Sequence, residues 1–138
     1  MPLTLIVTDG LLPPGRQAAT MARLSEAFLQ LHGLQGNAFL TPNVIGHVQV
    51  VPQGSTFAGL QPVPVAIVEW LTPSFAFGSP EVQEAYVRAA TEIVHAACGG
   101  QLPRERIWVN LTHAVDGMWG IGGKAWSNAE LGTAVGAA

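Results

Sequence analysis

Charge is what this sequence has least of. Only 11% of its 138 residues are Asp, Glu, Lys or Arg, against about a quarter in an average soluble domain. Six Lys plus Arg stand against nine Asp plus Glu, giving a formal net charge of −3; no basic face is available for nucleic acid. Long apolar runs are also missing. Although 49% of the residues are hydrophobic, Pro, Gly, Thr and Gln interrupt every run well short of a membrane-spanning helix. The single Cys98 excludes an internal disulfide framework and reads as a buried structural thiol in the small-residue end of a helix. No two histidines have metal-ligand spacing, so no zinc site is expected. Gly120-x-Gly122-Gly123 follows the last strand and opens no helix, so it is not a nucleotide fingerprint. No cofactor is expected. The N-terminus has neither a basic start nor a small-residue cleavage site, which makes the cytoplasm the expected compartment. The length fits one domain with a real core. So little charge on its surface predicts that other subunits cover part of it.

What is present is a pattern that occurs twice. Leu3 to Thr8 read as a strand, followed by a Pro13-Pro14-Gly15 turn and a helix from about Arg16 to Leu31. Ala18, Met21, Leu24, Phe28 and Leu31 recur there at three and four residues. Val44 to Val51 form a second strand, closed by Pro52-Gln53-Gly54. The second half opens at Pro64 with a strand over Val65 to Leu71, whose near-continuous apolar character suggests burial on both faces. Ser79-Pro80-Glu81 starts a helix running to about Cys98. Its apolar face is Val82, Ala85, Tyr86, Ala89, Ala90, Ile93, Val94 and Ala97. Ile107 to Thr112 form the fourth strand. The order is β-α-β then β-α-β: an α/β domain over residues 1–126, with halves of about 2–62 and 64–126. Right-handed crossovers put both helices on one face of a four-stranded sheet. Residues 127–138, rich in Gly and Ala, read as a flexible tail.

The chemistry begins at Met1-Pro2. A small second residue favours removal of the initiator methionine, and removal leaves Pro2 with a free secondary amine. An α-amine has a pKa near 8 in water and a lower one when buried in an apolar pocket. That suits a general base near neutral pH. The plainer reading makes Pro2 only a stiff strand opener. Toward the other end, Trp119-Gly120-Ile121-Gly122-Gly123 resembles the aromatic-Gly-Ile-Gly-Gly turn of 4-oxalocrotonate tautomerase. Arg106-Ile107-Trp108-Val109-Asn110 resembles the Arg-Val-Tyr-Ile-Asn strand of macrophage migration inhibitory factor, and Val50-Val51-Pro52 with Phe57-Ala58-Gly59 resembles its first half. With the Met-Pro start and the doubled layout, the chain resembles the tautomerase superfamily over about residues 2–126.

The resemblance implies a homotrimer whose sheets enclose a barrel, with a proline at each pocket between subunits. Pro2 matches the catalytic proline. Trp108 and Asn110 match residues lent to the pocket by a neighbour, and Trp119 matches its aromatic wall. The implied activity is isomerisation of a small keto–enol compound. The alternatives are a related hydratase or decarboxylase, or a non-catalytic binding scaffold. The departures are specific. The carboxylate-binding arginines of 4-oxalocrotonate tautomerase fall on Leu12 and Trp108, and the inhibitory factor's pocket lysine falls near Thr41. The arginine pair of the cis-3-chloroacrylic acid dehalogenases falls in Thr72-Pro73-Ser74-Phe75. Without such donors a dianionic substrate is disfavoured. Two further residues could take part. Glu69 is a charge in an apolar strand, expensive unless paired with Arg106 or a neighbour's arginine, or used as an acid. His113, after the last long strand, is a possible second acid or base. His32 and His95 near helix ends read as dipole partners.

Overall fold

A computed structural model describes every residue, 1–138. Strand β1 (Pro2–Thr8) sends Leu3, Leu5 and Val7 into the core, while Pro2, Thr4 and Ile6 take the opposite face. Pro14 starts helix α1 (Pro14–Leu31) in its first turn, where a missing N–H costs nothing. The helix returns the chain to β2 (Ile45–Val51), parallel to β1, with Leu5 opposite Val48. Gly46 lets β2 pass close under α1: a Cβ on it would displace the Met21 side chain. A small hairpin of β3 (Phe57–Ala58) and β4 (Gln61–Pro62) ends the first half.

The second half repeats the path. Strand β5 (Ala66–Pro73) runs antiparallel to β1, and α2 (Pro80–Ala97) carries the chain to β6 (Ile107–Ala114), parallel to β5. Ser79 caps α2 by accepting from the Val82 N–H. The sheet order is β2-β1-β5-β6, the predicted pair of β-α-β units, with both helices on one face. Between them Phe28 and Tyr86 meet Trp70, whose ring centroid lies 4.7 Å from that of Phe28. The Tyr86 hydroxyl donates to the Leu24 carbonyl at 3.1 Å. Each such side chain contributes about 1.5–3 kcal/mol by leaving water. Cys98 is buried and its thiol is pushed up by burial, as a structural thiol should be.

The other sheet face is open in the single chain. Strand β5 therefore alternates rather than being buried on both faces: Val68 and Trp70 are buried, Glu69 and Leu71 exposed. Across this face the register sets His47, Thr4, Glu69 and Asn110 in one polar row. Ile45, Leu71 and Trp108 are exposed around it, Trp108 by 61%.

The C-terminal region departs most from expectation. Strands β7 (Trp119–Ile121) and β8 (Lys124–Trp126) make a hairpin on Gly122-Gly123, both at positive φ, the conformation a two-residue turn demands. Residues 127–138, expected as a flexible tail, include helix α3 (Asn128–Gly136). Its stabilisation is largely polar. Ser127 and Glu130 form a reciprocal capping box, and Glu130 pairs with Lys124 at 2.8 Å. Asn128 reaches Asp116 and Ser74.

Candidate active site

The start of β1 ends in a cavity of about 160 Å³ bounded by five parts of the chain. Phe28 and His32 come from the end of α1, and Leu34, Phe39, Leu40 and Asn43 from the loop before β2. Pro73 ends β5, and Phe75 and Ala76 follow it; Trp119 and Ile121 come from β7; Leu131 and Val135 from α3 form a roof. Met1 itself lines this space. It is buried, and its amine donates to the Asn43 carbonyl. Burial pushes that amine down to about 6, from an ordinary value of 8.0.

The loop is fixed by two asparagines. Asn43 donates its side-chain amide to the Phe39 carbonyl at 2.7 Å. Asn37 accepts from the Leu40 N–H at 2.7 Å and donates to the Val135 carbonyl at 2.8 Å, tying the loop to the roof. Trp126 stacks at 5.6 Å on Phe39 and carries the Lys124 ammonium 4.1 Å from its own ring centre.

The predicted residues divide between three places. Trp119 is buried in the wall of the Met1 cavity. Pro2, Glu69 and Asn110 share a hollow on the open sheet face with Thr4 and Thr112. Trp108 lies with Phe57, Ile67 and Arg106 in another hollow of that face, away from the Met1 cavity. His113 lines a separate groove with Thr72 and Gln83. No ion pair within the chain joins Glu69 to Arg106. His95 binds the Leu102 carbonyl through Nδ1 at 2.8 Å, a structural role.

His32 is the residue that sequence reading assigned only to a helix end. It caps α1, lines the cavity and stacks edge-on at 4.7 Å against Phe28. Its Nε2 is enclosed without a hydrogen-bond partner. Desolvation lowers its pKa, and the Ala76 backbone partly opposes that. Asn37 was missed as well; Asn followed three residues later by an apolar residue is too common a pattern to reveal a tether of this length.

By sequence, neither a family model nor a curated protein matches the chain. By structure it is similar to a symmetric trimer of fused 4-oxalocrotonate tautomerase, with a TM-score of 0.76 and 20% identity over 96% of this chain and 99% of that one. A member of the cis-3-chloroacrylic acid dehalogenase family gives 0.75 and 16% identity over 96% and 90%. FG41 malonate semialdehyde decarboxylase gives 0.66 and 13% over 88% and 89%. The chain thus has a fused 4-oxalocrotonate-tautomerase-like fold, a four-stranded sheet built from two β-α-β units with Pro2 at the head of its first strand.

Proposed function

We propose that the protein is a tautomerase in which Pro2, freed by loss of Met1, is the general base and acid acting on a small keto–enol compound. One observation carries the reading: Met1 is buried in the wall of an apolar cavity at the start of β1, and burial there already lowers its amine toward neutrality. Removing Met1 enlarges that space and leaves the Pro2 nitrogen next to it as a secondary amine. With neighbouring copies covering the open sheet face, such an amine is poorly solvated, largely unprotonated at neutral pH, and takes a proton from the carbon beside a carbonyl. Trp119 walls the space. Trp108 and Asn110 would act in trans, from the open sheet face of a neighbouring copy in a homotrimer, with the Asn110 amide donating to the developing enolate oxygen. Glu69 sits beside Pro2 on that face and would hold the polar row of the barrel.

The test begins with the intact mass of the native protein, which should lack Met1. Phenylpyruvate enolisation should then proceed, and a Met1-retaining preparation should be inactive, because its Pro2 nitrogen is a tertiary amide. Pro2→Ala keeps an α-amine but releases it from the ring, so kcat/KM should fall at least about tenfold, the lower part of what a positioned base supplies. Unchanged turnover in both controls would overturn the reading. The absence of any cation from the cavity lining favours one second reading, a non-catalytic binding scaffold. That scaffold would keep its ligand in Pro2→Ala and show no turnover in the parent.

A further inference from the structure

Met1 makes two backbone hydrogen bonds with the segment that leads into β2. Its amine donates to the Asn43 carbonyl, and its own carbonyl oxygen accepts from the Ile45 N–H at 3.0 Å. Pro2 and Ile45 are register partners at the head of the parallel β1–β2 pair. The oxygen that Ile45 holds therefore belongs to the peptide group whose nitrogen is Pro2. Loss of Met1 cuts that group. The Pro2 nitrogen gains a basic lone pair, and the Ile45 N–H, still carried by β2, is left aimed at the place where a carbonyl oxygen stood. An unpaired donor beside an apolar cavity is stabilised by any ligand oxygen that takes that place. Two other polar groups of the lining are already engaged, the His32 ring with the Ala76 backbone and the Asn43 amide with the Phe39 carbonyl. The Asn43 carbonyl faces the vacated place too, but as an acceptor. It repels a ligand oxygen that Ile45 attracts, so the two groups together set the direction in which a carbonyl enters.

We propose that the Ile45 backbone N–H is a catalytic donor of this site, holding the substrate's carbonyl oxygen where the Met1 oxygen stood before trimming. The inference rests on the reading of Pro2 as the base. A carbonyl held there sets its α-carbon against the Pro2 nitrogen. The amine takes the α-proton and becomes a secondary ammonium. The C–H electron pair forms the carbon–carbon double bond, and the carbonyl π pair moves onto the oxygen. Charge growing on that oxygen strengthens the bond from Ile45, so the donor favours the transition state over the ketone. An enolate oxygen accepts more than one bond, which leaves room for the Asn110 amide of a neighbouring copy. The ammonium then gives its proton to the oxygen, and the enol departs with Pro2 neutral again. No co-reactant is needed.

Protein shown by mass to lack Met1 is compared with Met1-bearing protein through the Ile45 amide resonance and its hydrogen exchange. The amide should exchange slowly with Met1 present, faster once Met1 is gone, and slowly again at saturating phenylpyruvate, its proton then moving to lower field. An Ile45 amide that saturating phenylpyruvate neither shifts nor protects overturns the proposal. Ile45→Pro removes the N–H, whose Met1 partner the trimmed chain has already lost. Its kcat for phenylpyruvate enolisation should fall about a hundredfold, with KM changed much less, as when one oxyanion donor is removed. Ile45→Val keeps the N–H and should keep the parent's rate. An unchanged kcat in Ile45→Pro overturns the donor role; should that variant fail to fold, the resonance and its exchange decide. Pro2→Ala should lose turnover yet still protect the Ile45 amide when phenylpyruvate binds. Protection of Ile45 in a parent without enolisation supports the Ile45 contact and overturns Pro2 as the base. Enolisation with an indifferent Ile45 amide leaves Pro2 standing and removes Ile45, so the two readings fail separately.

Discussion

At the scale of single residues, two groups are held in states they would not choose in water. Leu60 has φ of 66° and is 95% exposed at the tip of the β3–β4 hairpin, opposite Gly59 at 57°. A left-handed leucine costs roughly 1–2 kcal/mol, which glycine does not incur. Leu60→Gly is therefore expected to stabilise the isolated chain by about 1 kcal/mol, measured by urea denaturation. The Met1 amine is the second. In the folded, Met1-bearing chain it titrates near 6 rather than at its ordinary 8.0. Between those values the unfolded chain binds more protons, so the contribution to stability is complete above about pH 8 and falls as pH drops through about 6. The melting temperature of Met1-bearing protein should fall over that interval, while an N-acetylated chain, with no amine to titrate, should not show this component. That Pro2 opens the first strand was nearly legible from the sequence. That His32 lines the same cavity as Met1 was not, because only the fold brings the end of α1 there.

Among the elements, α3 shows how composition misleads. Its Gly- and Ala-rich sequence has little to bury, and only Leu131 is buried. Its start is fixed by Ser127 and Glu130, a Ser-x-x-Glu capping box that composition does not reveal. The Glu130 carboxylate is pulled down to about 2 by Lys124 and by the Ser127 N–H. Its contribution is thus present above the usual carboxylate range and fades only as pH falls through about 2. Ser127→Ala should cost the helix about 1 kcal/mol, seen as faster hydrogen exchange at residues 130–136 with exchange in α1 and α2 unchanged. Helices α1 and α2 were legible because their apolar residues repeat at three and four, and the four long strands because turn residues bracket them. The β7–β8 hairpin was read as a turn without its strands; three-residue strands carry too few side chains to show alternation.

For the whole molecule, the open sheet face is the unresolved requirement of the fold. It presents Ile45, Leu71 and Trp108 around the His47–Thr4–Glu69–Asn110 row, and Phe57 and Leu60 are exposed on the adjoining hairpin. Contiguous exposed apolar surface of this kind marks an association site. We predict homotrimers in sedimentation experiments at micromolar concentration. Trp108→Asp should shift them to monomers while leaving the far-ultraviolet spectrum intact, since the residue is mostly exposed within its own chain. A stable parent monomer would contradict the assembly. Low charge raises the expectation of a covered face from composition alone, and these experiments test it. Which residues share each hollow depended on register, and a sequence does not display register across strands separated by a whole helix.

The burial of Met1 has a consequence in time. An aminopeptidase must grip the first residue in an extended conformation, yet in the finished fold that residue is enclosed and its amine is bound to Asn43. Trimming and folding are then competitors on the nascent chain. Once β2 and its preceding loop have left the ribosome and closed over the N-terminus, the substrate of the peptidase has been withdrawn. Folded protein that still carries Met1 should resist methionine aminopeptidase, and the same protein trimmed in denaturant and then refolded should gain activity. On the Pro2 reading, a cell that makes this chain faster than it can trim it accumulates a correctly folded, permanently silent fraction.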